Sequence, residues 1–178
     1  MTQLKYQIDF KSERFSRLPF HIKKNIEKLE KFRRETNMHS INHPDNRSTV
    51  ALLIINNREF WGINKATAGI SGQMKEDLKD VLKDEQGKSA HTAVLTHAEV
   101  DAMVDACQKN MNAYSAEMYV DRKLCSFCAG SDFNGGSLRR LLPLLSLKIL
   151  KIYTPDESGN ITEVTLSPKT TFVSHIFL

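Results

Sequence analysis

Hydrophobic and polar positions change their spacing several times along the chain, and each change predicts an element. Ile22, Ile26 and Leu29 recur at three- and four-residue steps among lysines and arginines, the pattern of an amphipathic helix packed through one stripe. A polar stretch, N-M-H-S-I-N-H-P-D-N-R over 37–47, predicts a loop. V-A-L-L-I-I-N is an apolar run of strand length, Asn56 and Asn57 suit a tight turn, and R-E-F-W-G-I-N follows, so a β-hairpin is predicted. Beyond it come a polar amphipathic helix over 73–83 and a second polar loop up to residue 92. After Thr96, a candidate N-cap, Ala98, Ala102, Met103, Ala106, Cys107 and Met111 recur at helical steps.

The rest of the chain alternates in the same way. E-M-Y-V-D (117–121) predicts a short strand, and a helix is expected at or just after Cys128. Residues 137–145 read as a helix that Pro143 disturbs, and K-I-L-K-I-Y reads as a strand returning parallel to the earlier one. A turn-rich T-P-D-E-S-G-N then leads to I-T-E-V-T-L and T-F-V-S-H-I-F-L, one or two further strands. This order predicts an α/β fold in three layers, a central mixed sheet of about five strands flanked by helices. Residues 1–47 form a basic N-terminal helical segment and loop, and 48–178 the main domain, the helix packing on it as one compact unit.

Composition narrows the classes. The 178 residues, 40% hydrophobic, suffice for one domain with a proper core. No apolar stretch approaches the roughly eighteen residues of a membrane span, and the charged start is not a signal peptide, so a soluble monomer is expected. Three cysteines, two of them in C-x-x-C, fit a metal site in reducing surroundings better than a disulfide framework. The net charge of +4 is uneven: between Lys5 and Glu35 ten Lys/Arg face five Asp/Glu. Lys23, Lys24, Lys28, Lys31, Arg33 and Arg34, with Phe15, Phe20 and Phe32 among them, could contact phosphates; the competing reading is a solvated helix face.

The chemistry sits in T-H-A-E-V, with His97 and Glu99, and in L-C-S-F-C, with Cys125 and Cys128. H-x-E followed by C-x-x-C at this distance is the signature of a zinc-dependent nucleobase deaminase. His97, Cys125 and Cys128 would fill three corners of a tetrahedral Zn²⁺ and leave the fourth for water, as catalytic zinc requires. Residues i and i+2 of a helix point about 200° apart, so Glu99 is poorly placed as a co-ligand of His97 and suits the role of general acid/base. Zinc lowers the pKa of its water to about 7, which makes hydroxide available at neutral pH. Two helix N-termini, one at each motif, would favour thiolate ligands. A structural zinc would need a fourth protein ligand, for which His91 is the nearest spare candidate.

Hairpin, H-A-E helix, strand, C-x-x-C helix and strand together resemble the cytidine deaminase superfamily over about 49–153. The S-F between the cysteines and the L-L-P after them look most like the bacterial polymorphic-toxin deaminases, among them double-stranded-DNA cytosine deaminases. Leu124 stands where a proline is habitual in the free-nucleoside, tRNA-adenosine and antiviral branches, which points away from those. F-W-G-I-N-K is similar to the family's second-strand G-x-N, which implies a substrate role for Asn64. Ala98, between His97 and Glu99, and Phe127, between the cysteines, are the other substrate-side candidates, Phe127 by stacking on a base.

The resemblance implies hydrolytic deamination of cytosine to uracil in DNA, single- or double-stranded. It also implies a secreted effector domain acting in a target bacterial cytoplasm and restrained by an immunity protein; a cytoplasmic enzyme fits the sequence equally well. Alternative substrates are RNA, free cytidine or nucleotide, and adenine. A non-catalytic, zinc-stabilised nucleic-acid-binding module is the competing class. Cys107 reads as a buried thiol, Trp61 and Tyr119 as core, and Arg139 and Arg140 as an exposed pair able to reach phosphate. His21, His39, His43 and His175 have no partner legible in the sequence.

Overall fold

The computed structural model describes residues 7–64, 97–124, 137–169 and 171–175. The expected helix over 73–83, His91, Thr96 and the whole C-S-F-C motif lie outside the described residues. Within them the order is α1 (Glu13–Ser16), α2 (Phe20–Glu35), β1 (Val50–Ile55), β2 (Arg58–Ile63), α3 (Ala98–Gln108), β3 (Ser115–Val120) and α4 (Ser137–Leu141). A 3₁₀ turn over Leu142–Leu145 follows, then β4 (Ile149–Pro155), β5 (Ile161–Leu166) and β6 (Thr171–His175).

The strands form one mixed sheet in the order β2-β1-β3-β4-β5-β6. It has six strands rather than about five, because T-F-V-S-H pairs with β5 from Leu166↔Thr171 to Thr162↔His175. β1 and β2 make the expected hairpin, with both Asn56 and Asn57 at positive φ (50° and 63°), the twist a two-residue turn needs. β3 and β4 are parallel, Ser115 opposite Ile149, and every other pair is antiparallel.

Strand alternation sends successive side chains to opposite faces, and each face has its own core. On one face Ala51, Leu53, Ile55, Phe60, Met118, Val120, Leu150, Ile152, Val164 and Leu166 pack with α3 and with Leu138, Leu141, Leu142 and Leu145. On the other, Val50, Leu52, Tyr119, Tyr153 and Ile161 meet Ile22, Ile26 and Leu29 of α2. Pro143 lies within the 3₁₀ turn, where the missing N–H converts the helix end to tighter winding.

The N-terminal helix is fixed by a charge as well as by its apolar stripe. Arg33, read from sequence as one of the phosphate-facing cations, is wholly buried and paired with Asp121, Nε to Oδ2 2.7 Å. Its periodicity places it on the Ile22–Ile26–Leu29 side of α2, which faces the sheet, so it cannot meet a phosphate backbone. Nη1 donates to Asn46 Oδ1, Ser48 Oγ and the His39 carbonyl (3.0 Å each), and Nη2 to the Ser48 carbonyl at 2.9 Å. The second oxygen of Asp121 accepts from Val50 N–H at 3.0 Å. Burial pushes the Asp121 carboxyl up, while Arg33 and the Val50 amide pull it back towards ionisation. Phe32 stacks on Trp61, centroids 4.3 Å apart, and Phe15 is buried, so of Phe15, Phe20 and Phe32 only Phe20 is broadly exposed.

Candidate active site

α3 carries the H-x-E pair at its N-terminus. His97 is the N-cap, in extended conformation (φ −76°, ψ 142°), and its carbonyl accepts from Asp101 N–H at 2.9 Å. The cap is thus one residue later than Thr96. Glu99, in the first turn, is 5% exposed despite its charge. A carboxylate held at that depth is costly unless it is partnered, and Glu99 does interact within the fold, two residues from His97, the imidazole that the sequence offers as a metal ligand. The helix ends at Gln108, so Met111 lies past its end, although it still packs against the core beside Cys107. Cys107 is partly buried rather than fully, and burial pushes its thiol up.

Two contacts set where that helix start lies on the sheet. Gly62 of β2 faces the first turn of α3 so closely that a Cβ there would stand 2.0 Å from the Ala98 carbonyl oxygen and 2.7 Å from Ala102 N. Only a residue without a side chain admits that approach. One residue on, Ile63 N–H donates to Asp101 Oδ2 at 3.0 Å, tying the strand end to the same first turn of the helix. Burial raises the Asp101 carboxyl, the Ile63 amide lowers it, and Asp105 raises it. Neither role is evident from residue type alone. An isolated glycine within a strand pattern was the available signal for the first, whereas the second depends on a register that sequence does not give.

Asn64 closes β2. Its N–H donates to the Thr49 carbonyl at 3.4 Å and its Nδ2 reaches the Arg47 carbonyl at 3.5 Å. Its Oδ1 is buried with no hydrogen-bond partner, an acceptor that native folds rarely leave unmet. Ala98 is fully buried, its carbonyl closed down on Gly62. Phe127 lies outside the described residues, as do Cys125 and Cys128.

The approach to the cysteines is described up to Leu124. β3 ends at Val120, and the next residues are pinned from both sides. Asp121 takes the Arg33 ion pair, Arg122 Nη2 donates to the Asn46 carbonyl at 2.8 Å, and the Arg122 carbonyl accepts from Thr154 Oγ1 at 2.7 Å. Leu124, immediately before Cys125, is buried in the same core cluster as Ala98 and Val100. His97, Cys125 and Cys128 could hold a zinc ion: His97 opens α3, and Leu124, the last described residue before Cys125, is buried in the core on which α3 packs. Imidazole with two thiolates is a donor set that zinc favours.

A mixed sheet with an H-x-E helix against its hairpin is a deaminase layout, and the comparison with known families gives the same class. The MafB19-like deaminase family matches residues 26–168, and the chain belongs to it. The protein is therefore a deaminase of the cytidine-deaminase-like fold. No curated protein and no solved structure matches the chain. None of the described helices is long and apolar enough to cross a membrane.

Proposed function

We propose that the protein is a zinc-dependent cytosine deaminase acting on DNA, and that it serves as a bacterial toxin domain. The observation that carries the reading is Glu99, a carboxylate 5% exposed in the first turn of a helix capped by His97, in a chain of the deaminase family. His97, Cys125 and Cys128 hold the zinc, which when bound supplies a water acidic enough to ionise near neutral pH. Glu99 is the proton carrier: it takes a proton from the attacking water, delivers it to the ring nitrogen and then assists the leaving amine. Asn64, with its unmet buried Oδ1, orients the sugar or base by accepting a hydrogen bond, and Phe127 stacks on the base. Ala98, between His97 and Glu99 and with its carbonyl closed on Gly62, is the third substrate-side residue of this reading.

The DNA reading rests on the likeness to toxin deaminases and on the basic N-terminal segment, reduced to the cations that remain on the surface. Lys24, Lys31 and Arg34 are exposed, Lys31 beside Glu35 at 3.7 Å, whereas Lys28 is engaged by Glu59 at 2.6 Å. Delivery into a competitor's cytoplasm and restraint by an immunity protein belong to the same reading.

The test is uracil formation in matched single-stranded DNA, duplex DNA and RNA, by the zinc-loaded protein and its Glu99→Ala variant. Uracil in DNA that disappears with Glu99→Ala while zinc stays bound is the expected result. Product in RNA alone moves the substrate, and activity on free nucleosides or adenine alone rejects the polynucleotide reading. A variant indistinguishable from wild type in every assay returns the chain to a non-catalytic zinc module.

A further inference from the structure

The loop between α2 and β1 gathers three metal-binding side chains that the deaminase chemistry leaves unused. His39, His43 and Asp45 are exposed, and one ligand atom from each lies within 4.8 Å of the others. The two imidazoles stack at 4.1 Å between centroids and 14° between planes, so one ring must turn out of the stack for both in-plane lone pairs to meet one ion. Asp45 N–H donates to His43 Nδ1 at 3.0 Å, so that nitrogen presents a lone pair rather than a proton, directed towards Asp45. A metal ion would take the same lone pair in place of the amide.

Apart from the Asp45 amide on His43 Nδ1, the backbone around them is held by bonds that use none of these three ligand atoms. The His39 carbonyl accepts from buried Arg33, and Ile41 is fully buried with its N–H on Glu30 Oε1 at 2.5 Å. Asn42 is bonded to Gln7 and Ile8 through their amides, and Asn46 Nδ2 donates to the Ile41 carbonyl at 2.9 Å. Three ligands on a braced loop lower the ordering cost of coordination, because little backbone freedom is left to lose.

We propose that His39, His43 and Asp45 form a second metal site, separate from the C-x-x-C centre, for a borderline divalent ion such as Zn²⁺. Two imidazoles with one carboxylate select zinc, nickel or copper over magnesium and calcium, and water completes the shell. The ion would staple residue 39 to residue 45. The next residues, Asn46 and Arg47, offer their carbonyls to Arg122 and Asn64, so the staple stiffens the strip joining both margins of the candidate active site.

Zn²⁺ titration of the full chain, already loaded at its tightest site, tests this by calorimetry and by thermal shift. Wild type is expected to take up a further equivalent with a rise in Tm. His39→Ala and His43→Ala should each weaken that event roughly tenfold or more, with Asp45→Asn intermediate. The His39 ring makes no hydrogen bond among the described residues beyond its stack on His43, so His39→Ala should keep the metal-free Tm and the Glu99-dependent activity. A further equivalent that survives both histidine substitutions, or is lost in Cys125→Ser instead, overturns the proposal, as does a wild type that takes up none.

Discussion

The two faces of the sheet are held by different physics. The α3 face is almost purely aliphatic and closes by shape, down to a backbone contact at Gly62 that a single methyl group would destroy. The α2 face is aromatic and ionic: Tyr119 stacks on Tyr153 at 5.0 Å, Phe32 on Trp61 at 4.3 Å, and Arg33 meets Asp121 with both side chains at 0% exposure. The face that carries Glu99 thus tolerates no added volume, while the opposite face tolerates no lost partner.

The largest stability effect is expected on the ionic side. Arg33→Met should cost about 3–5 kcal/mol, because Asp121 is left as a buried charge without its partner. Urea unfolding of this variant beside Arg33→Met/Asp121→Leu measures it, and the double variant should recover part of the loss. A single variant within 1 kcal/mol of wild type, by the same principle, would remove the clamp from the account.

Next comes Gly62→Ala, expected to cost about 1–3 kcal/mol as α3 is levered off β2. Deaminase activity should fall further than stability explains, since the displaced turn carries His97 and Glu99. An equally active, equally stable variant would show that the close approach is incidental.

Asp101→Ala should cost about 1–2 kcal/mol by stranding the Ile63 amide, and Asp101→Asn, which keeps an acceptor, clearly less. Chemical denaturation of the pair separates the hydrogen bond from the charge; equal losses would assign the effect to packing.

The smallest effect is a pH dependence confined to the aromatic face. Burial, first among the causes, raises the phenols of both Tyr119 and Tyr153, which remain protonated in the fold above the pH at which an unfolded tyrosine ionises. The folded state then binds more protons than the unfolded one, so stability is complete below about pH 10 and declines above it. Tyr119→Phe and Tyr153→Phe should each flatten that decline, which thermal unfolding between neutral and alkaline pH can follow. A slope untouched by both would place the alkaline loss elsewhere.

Local pattern made most of the fold legible. The Asn56-Asn57 hairpin, the parallel return of β4 and the buried stripe of α2 follow from periodicities of two and 3.6 and from turn chemistry. The sixth strand is less legible, because T-F-V-S-H-I-F-L gives no sign of which edge it joins. Arg33 is not legible as a buried residue, since a guanidinium on an apolar stripe looks like any other basic residue until its distant partner is known; Asp121 is 88 positions away. The pair His97 and Glu99 stands out in the sequence because zinc ligation and proton transfer would restrict residue type and spacing together. Asp101 and the His39, His43 and Asp45 group do not, as their meaning comes from register and from the path of a loop.

The pairing pattern of β3 has a consequence for how the chain folds. β1–β2 and β4–β5–β6 are local meanders whose strands are joined by short connections, so each can form with little loop-closure entropy. β3 is flanked on both sides by distant partners, Ala51↔Val120 and Ser115↔Ile149. Its docking carries the highest contact order in the sheet, which places it late on the folding route. The strand that leads to the two cysteines is therefore the keystone, set after the two flanking meanders stand, so the chain is nearly folded before its chemistry can be assembled.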